Sequence, residues 1–163
     1  MSQFGLLEHL DRQLTSSRRL LGIVLAQGDA IKVQDVEAVL ARLAEVQAEM
    51  VKRAQIERER DVLLQHAAAS LGMPVAEVTL ESILVLVPHT EADRAREMSA
   101  ELRGLLAEIA RVHAQNRVLI RQELAFLDHL MRVLTGVPQA GYSPFGDGSG
   151  SGPQSNNLVD MRA

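Results

Sequence analysis

The stretch TEADRAREMSAELRGLLAEIARVHAQNRVLIRQELAFLDHLMRVLTG, residues 90–136, decides how the rest of the chain is read. It contains no proline, and its apolar positions recur in steps of three and four: Met98, Leu102, Leu105, Ile109, Val112, then Asn116, Leu119, Ile120, Leu124, Leu127, Met131 and Leu134. That period puts them on one stripe of a single helix of roughly 65–70 Å at 1.5 Å per residue. Thr90, with Asp93 three residues on, predicts a capping-box start, and Gly136 followed by Pro138 predicts the stop. A stripe this long requires an equally long partner.

The N-terminal half of the chain supplies two. From Phe4, the positions Leu7, Leu10, Leu14, Leu21, Val24 and Leu25 keep to one side of a first helix, which Gly28-Asp29 weakens. Asp35 is a fitting N-cap for a second helix with Glu37 in its first turn, and the break at residues 32–34 is either a tight turn or a kink. The second helix carries Val36, Val39, Leu40, Leu43, Val46, Met50, Val51, Ala54, Leu63, Leu64 and Ala67 on its apolar side and ends at Gly72 and Pro74. Its charged middle, Lys52 to Asp61, reads as a solvated face with pairs at helical spacing. Between Pro74 and Pro88, Thr79 caps a short helix through Leu80, Ile83, Leu84, Leu86 and Val87, placed across one end of the bundle. The expected class is all-α: an elongated antiparallel bundle or coiled coil of three long helices plus a short connecting helix. Residues 1–136 form the helical domain, and residues 137–163, rich in Gly, Pro and Ser, form a disordered tail.

Composition agrees. Of 163 residues 47% are apolar but only 2% aromatic, which suits Leu, Val, Ala and Met in thin helix-to-helix seams. A formal charge of −4 provides no basic field for nucleic acid. No run reaches the roughly 18 to 20 apolar residues of a membrane span, so stable membrane insertion is not expected. Ser17-Arg18-Arg19 before Leu20–Ala26 superficially resembles a twin-arginine signal, but the apolar run is short and sits within an amphipathic helix, which favours solvated surface.

Catalytic chemistry is missing. There is no Cys, no phosphate loop, and no Glu-x-x-His pair of a di-iron bundle. His9, His66, His89, His113 and His129 have no metal-ligand spacing and read as surface or boundary residues, while the serines fall at helix ends, helix surfaces and the tail. The expectation is a binding protein without catalytic residues, metal or cofactor. The tail, however, holds the one Tyr, Tyr142, and one of three Phe, Phe145, with Pro144 between them. Aromatic anchors in a segment without a core suit a short linear binding motif.

The chain resembles the FlgN-type chaperones of the bacterial flagellar export apparatus. The resemblance is carried by Ala30-Ile31, Asp35, Leu40, Leu43, Met50, Glu57 and Arg60. It is carried further by Asn116-Arg117-Val118-Leu119-Ile120, which looks like that family's N-x-x-L-[LI] step, and by Gly141-Tyr142-Ser143-Pro144 with Gly146-Asp147-Gly148, which look like its tail motif. Gln27 and Gln47 depart from charged residues common in the family, and Tyr-Ser-Pro-Phe-Gly departs from a tighter Tyr-Gly-x-x-Gly. The resemblance implies a cytoplasmic chaperone that binds helical terminal regions of the hook-filament junction proteins FlgK and FlgL and delivers them to the export gate.

On that implication the client face lies on the second half of the long helix, at Asn116, Leu119, Leu124, Leu127 and Met131, with Arg117 and Arg121 as charged contacts. Each apolar one is also a core candidate, Asn116 a register-setting hydrogen-bonder within the bundle, and the two arginines possible partners of Glu8 and Asp11. Tyr142, Pro144 and Phe145 are the expected contacts to the export-gate cytoplasmic domain. A coiled-coil adaptor or stalk component of a secretion system is the alternative, and a homodimer stays open because a long stripe can pair with a second copy.

Overall fold

A computed structural model describes residues 5–136. Helix α1 spans Leu6–Lys32, α2 Val36–Leu71, α3 Leu80–Leu84 and α4 His89–Thr135, with a single 3-10 turn at Val75–Glu77. The described residues are all-α, a helical bundle, and they divide into two compact units after Gln122.

The helix ends follow local chemistry. Asp35 accepts from the Ala38 N–H at 3.0 Å, and Thr79 and Ser82 form a reciprocal capping box at the start of α3. Gly72 and Gly136 close α2 and α4 at φ 66° and 61°, a left-handed backbone that favours glycine. α3 stops at Leu84 rather than Val87, because the chain tightens into a turn in which the Leu86 N–H donates to the Ile83 carbonyl. α4 starts one residue earlier than Thr90 suggested. The Pro88 carbonyl accepts from Ala92, and Asp93 pairs with His89 and Arg96 instead of closing a capping box.

Gly28 does not break α1, which runs on to Lys32. Residues 33–35 then form a tight turn: Gln34 takes φ 58°, and the Asp35 and Gln34 N–H groups donate to the Ala30 and Ile31 carbonyls, a Schellman-type closure. The turn folds α2 back along α1, as the pairs Ser16 to Glu49 and Arg12 to Glu59 require. α4 runs parallel to α1, because Arg18 meets Glu101 and, further along both helices, Val24 meets Asn116.

Leu6, Leu10 and Leu14 of α1, Leu63 and Ala67 of α2, Ile83 and Leu84 of α3, and Ala92, Ala95, Met98 and Leu102 of α4 form the main core. α3 therefore packs where expected, and Arg96 fastens it by donating through two nitrogens to Glu81 at 3.2 and 3.0 Å, holding that carboxyl below its ordinary range. A second, smaller cluster joins Leu20, Val24 and Val112, with Val46 packed against it.

Four sequence expectations are corrected here. Leu25 and the N-terminal apolar residues of α2, Val36, Leu40, Leu43, Met50 and Val51, are exposed, and α2 meets the cluster of Leu20 and Val24 on α1 through Val46 instead. The charged middle of α2 is not only a solvated face, since Arg53 donates to Ser17 and Glu59 accepts from Arg12 across the seam. Ser16 and Ser17 are buried, and their small side chains admit the Glu49 carboxylate, 3% exposed, which accepts from Ser16 at 2.8 Å with Arg19 and Lys52 at 3.7 and 3.8 Å.

The fourth is His9, which is buried rather than peripheral. Its Nε2 lies 2.7 Å from the Gln13 amide nitrogen and its Nδ1 has no partner. Burial pushes its pKa below 6.5; Glu59 and Glu57 oppose that and Arg60 and Arg12 reinforce it. A depressed folded pKa means the unfolded chain takes up the proton first. The stability His9 allows is thus present above about pH 6.5 and is lost as pH falls through its folded pKa. Thermal melts of His9→Gln between neutral pH and about pH 5 should show a shallower loss than the native chain; superimposed slopes would mean that His9 does not titrate in this range.

Candidate functional site

Within the first unit, α4 reaches Asn116 as its last fully buried residue. The Asn116 amide donates to the Val24 carbonyl at 2.8 Å and toward Gln27 Oε1 at 3.4 Å. Gly28 permits this approach, since a Cβ there would lie 2.7 Å from Asn116 Oδ1. Gly28 and Gln27 thus have a packing reason that sequence reading missed. Asn116 sets the register of α4 against α1, as its bundle reading expected, and its amide is engaged there rather than presented to solvent.

Arg117 and Arg121 are exposed and make no ion pair among the described residues. Glu8 does not answer them. It pairs with Arg12, and its position sixteen residues before Val24 puts it about 24 Å back along α1 at 1.5 Å per residue. Asp11 lies near that same distant end of α1. Leu119 and Ile120 are half-buried.

The second unit, considered by itself, is described only through the C-terminal turns of α4. Leu124, Phe126, Leu127, Leu130, Met131, Val133 and Leu134 are all exposed there, so Leu124, Leu127 and Met131 are not core among the described residues. Leu124, Leu127, Met131 and Leu134 form one stripe and Phe126, Leu130 and Val133 a second, leaving polarity to Glu123 and Thr135 at the ends and to Asp128, His129 and Arg132 between them; Asp128 and Arg132 pair with each other. A helix apolar on so much of its surface is ordinarily covered. Tyr142, Pro144 and Phe145, the tail itself and its domain boundary lie outside the described residues.

No group of three or more acidic residues and histidines able to hold a metal occurs among the described residues, nor is any described helix long and apolar enough to cross a membrane. A shallow cavity of about 220 Å³ lies beside His9 in the first unit, with Arg12, Glu59 and His66 on its walls. Arg12 is already bound there to Glu8 and Glu59.

No curated protein and no solved structure matches the chain. The family described as FlgN protein matches residues 1–149, covering all four helices and reaching past Tyr142. The chain belongs to the FlgN family of flagellar export chaperones, a family of binding proteins rather than enzymes.

Proposed function

We propose that the chain is a cytoplasmic chaperone that binds helical terminal regions of the hook-filament junction proteins FlgK and FlgL, prevents their premature assembly, and delivers them to the flagellar type III export gate. The observation that carries this reading is the uncovered apolar surface of α4 from Leu124 to Leu134. An amphipathic client helix whose apolar face is buried only after assembly is an aggregation hazard before it, and a helix apolar on two stripes covers such a face in the helix-in-groove mode. Leu124, Leu127 and Met131 supply the contact, with Phe126 and Leu130 widening it; Leu119 is a further client contact.

Arg117 and Arg121 add a contact to acidic groups of the client, because neither has an acidic partner among the described residues. Charge reversal of both, Arg117→Glu with Arg121→Glu, should weaken the complex by roughly tenfold while the melting temperature moves little. The opposite pattern would make them structural.

Tyr142, Pro144 and Phe145 form the contact to the export-gate cytoplasmic domain, with the tail and bundle acting together through effective concentration. The experiment is calorimetric titration of purified FlgK, FlgL and the gate domain into the full chain. Binding of at least one junction protein supports the reading, and binding of neither removes it. Tyr142→Ala should reduce gate binding and leave client binding intact; unchanged gate affinity would take the tail out of the mechanism.

A further inference from the structure

α2 is attached to the rest of its unit in two unlike ways. Near its C-terminal end Leu63, Ala67 and Ala68 are buried, the first two of them in the main core. Over residues 36–62 its only buried residue is Glu49. The less exposed positions of that segment, Val39, Arg42, Val46, Glu49, Arg53 and Ile56, follow one another in steps of three and four, and three of the six are charged. What crosses to α1 there is mainly polar. Ser16 donates to Glu49 at 2.8 Å, Arg53 to Ser17 at 3.0 Å and Arg12 to Glu59 at 2.9 Å, while Val46 against Leu20 and Val24 supplies the apolar contact. We propose that residues 36–56 of α2 are a flap that opens from α1 by local unfolding while the main core stays folded, uncovering Leu20 and Val24, and that the buried Ser16–Glu49 pair sets how readily it opens.

Opening this segment exposes little apolar surface that is not already in water, because Val36, Leu40, Leu43, Met50 and Val51 are exposed in the closed state. A helical segment with so few buried apolar contacts opens at a lower free energy than the core it adjoins. The surface beneath it stays assembled. Asn116 donates to the Val24 carbonyl and Arg18 pairs with Glu101, so α1 and α4 hold each other without α2. Glu49 is the residue on which closure turns. Closing takes its carboxylate out of water to 3% exposure, where Ser16 is its one hydrogen-bond donor and the half-exposed Arg19 and Lys52 stand no nearer than 3.7 and 3.8 Å. A buried charge answered this thinly holds the segment shut weakly, and opening returns it to water.

Hydrogen–deuterium exchange of the full chain, resolved by peptide in urea well below the unfolding midpoint, tests the flap. Amides of residues 36–56 should exchange about 100-fold faster than those of residues 63–71. Ser16→Ala should speed the flap by roughly a further tenfold, since the closed state then holds a carboxylate without its donor, and should leave residues 63–71 unchanged. Glu49→Met fills the same position with an apolar side chain of similar length, so its flap should exchange roughly tenfold more slowly than the native one. Adding Ser16→Ala to that chain should bring no acceleration, because no carboxylate remains to be stranded. Even protection along the whole of α2, a Ser16→Ala effect shared equally by residues 63–71, a Glu49→Met flap no slower than the native one, or the same Ser16→Ala acceleration with and without the carboxylate would each overturn the proposal.

Discussion

Asn116→Asp is expected to destabilise the chain by about 3 kcal/mol, lowering its melting temperature by roughly 10 °C. The native amide donates to the Val24 carbonyl from a position only 3% exposed. The carboxylate has the same shape and no donor, so it sets an oxygen against the carbonyl oxygen and buries a charge for which no cation is in reach among the hydrogen bonds of the site. A companion cycle reports on the Gly28 contact. Gly28→Ala alone should cost about 1 kcal/mol, because its Cβ displaces the Asn116 amide; combined with Asn116→Ala it should gain about 1 kcal/mol from helix propensity. Denaturant melts of the four chains measure both, and a Gly28→Ala effect of the same sign in both backgrounds would show that the contact carries no energy.

The second large effect concerns binding. Leu127→Ser with Met131→Ser should reduce affinity for a FlgK or FlgL terminal helix by roughly 100-fold while changing stability by less than about 1 kcal/mol. The asymmetry arises because both residues are more than half exposed in the free chain, at 52% and 58%, so truncation opens no cavity in the described fold. Had they been core, the same pair of substitutions would cost several kcal/mol. Titration and thermal melting on one preparation separate the cases: affinity retained at full strength would move the client elsewhere on the molecule.

Most of the architecture was legible because helix signals are local. The period of α4, the Asp35 and Thr79 caps, and the Gly72 and Gly136 stops each act within a few residues of themselves, and the structure places them as read. What failed depended on a neighbour from another element. His9, Ser16, Ser17 and Glu49 look like surface polarity in one dimension and are buried because α1 and α2 bring them together. Gly28 reads as a weak point of the first helix and is also the clearance for Asn116, eighty-eight residues away. Periodicity likewise shows that α2 has an apolar stripe without showing that Val36, Leu40 and Leu43 lack a cover in the single chain. Of the candidate site, the Asn116 step was visible as a polar interruption, whereas the exposure of Leu124, Leu127 and Met131 required the packed fold.

Hydrogen–deuterium exchange of the full chain, alone and saturated with a FlgK or FlgL terminal helix, tests the central claim most directly. The prediction is that amides of residues 124–134 exchange fast in the free chain, as expected for a helical segment with few buried contacts, and become protected in the complex. Protection confined to α1 and the N-terminal turns of α4, with residues 124–134 unchanged, would contradict it.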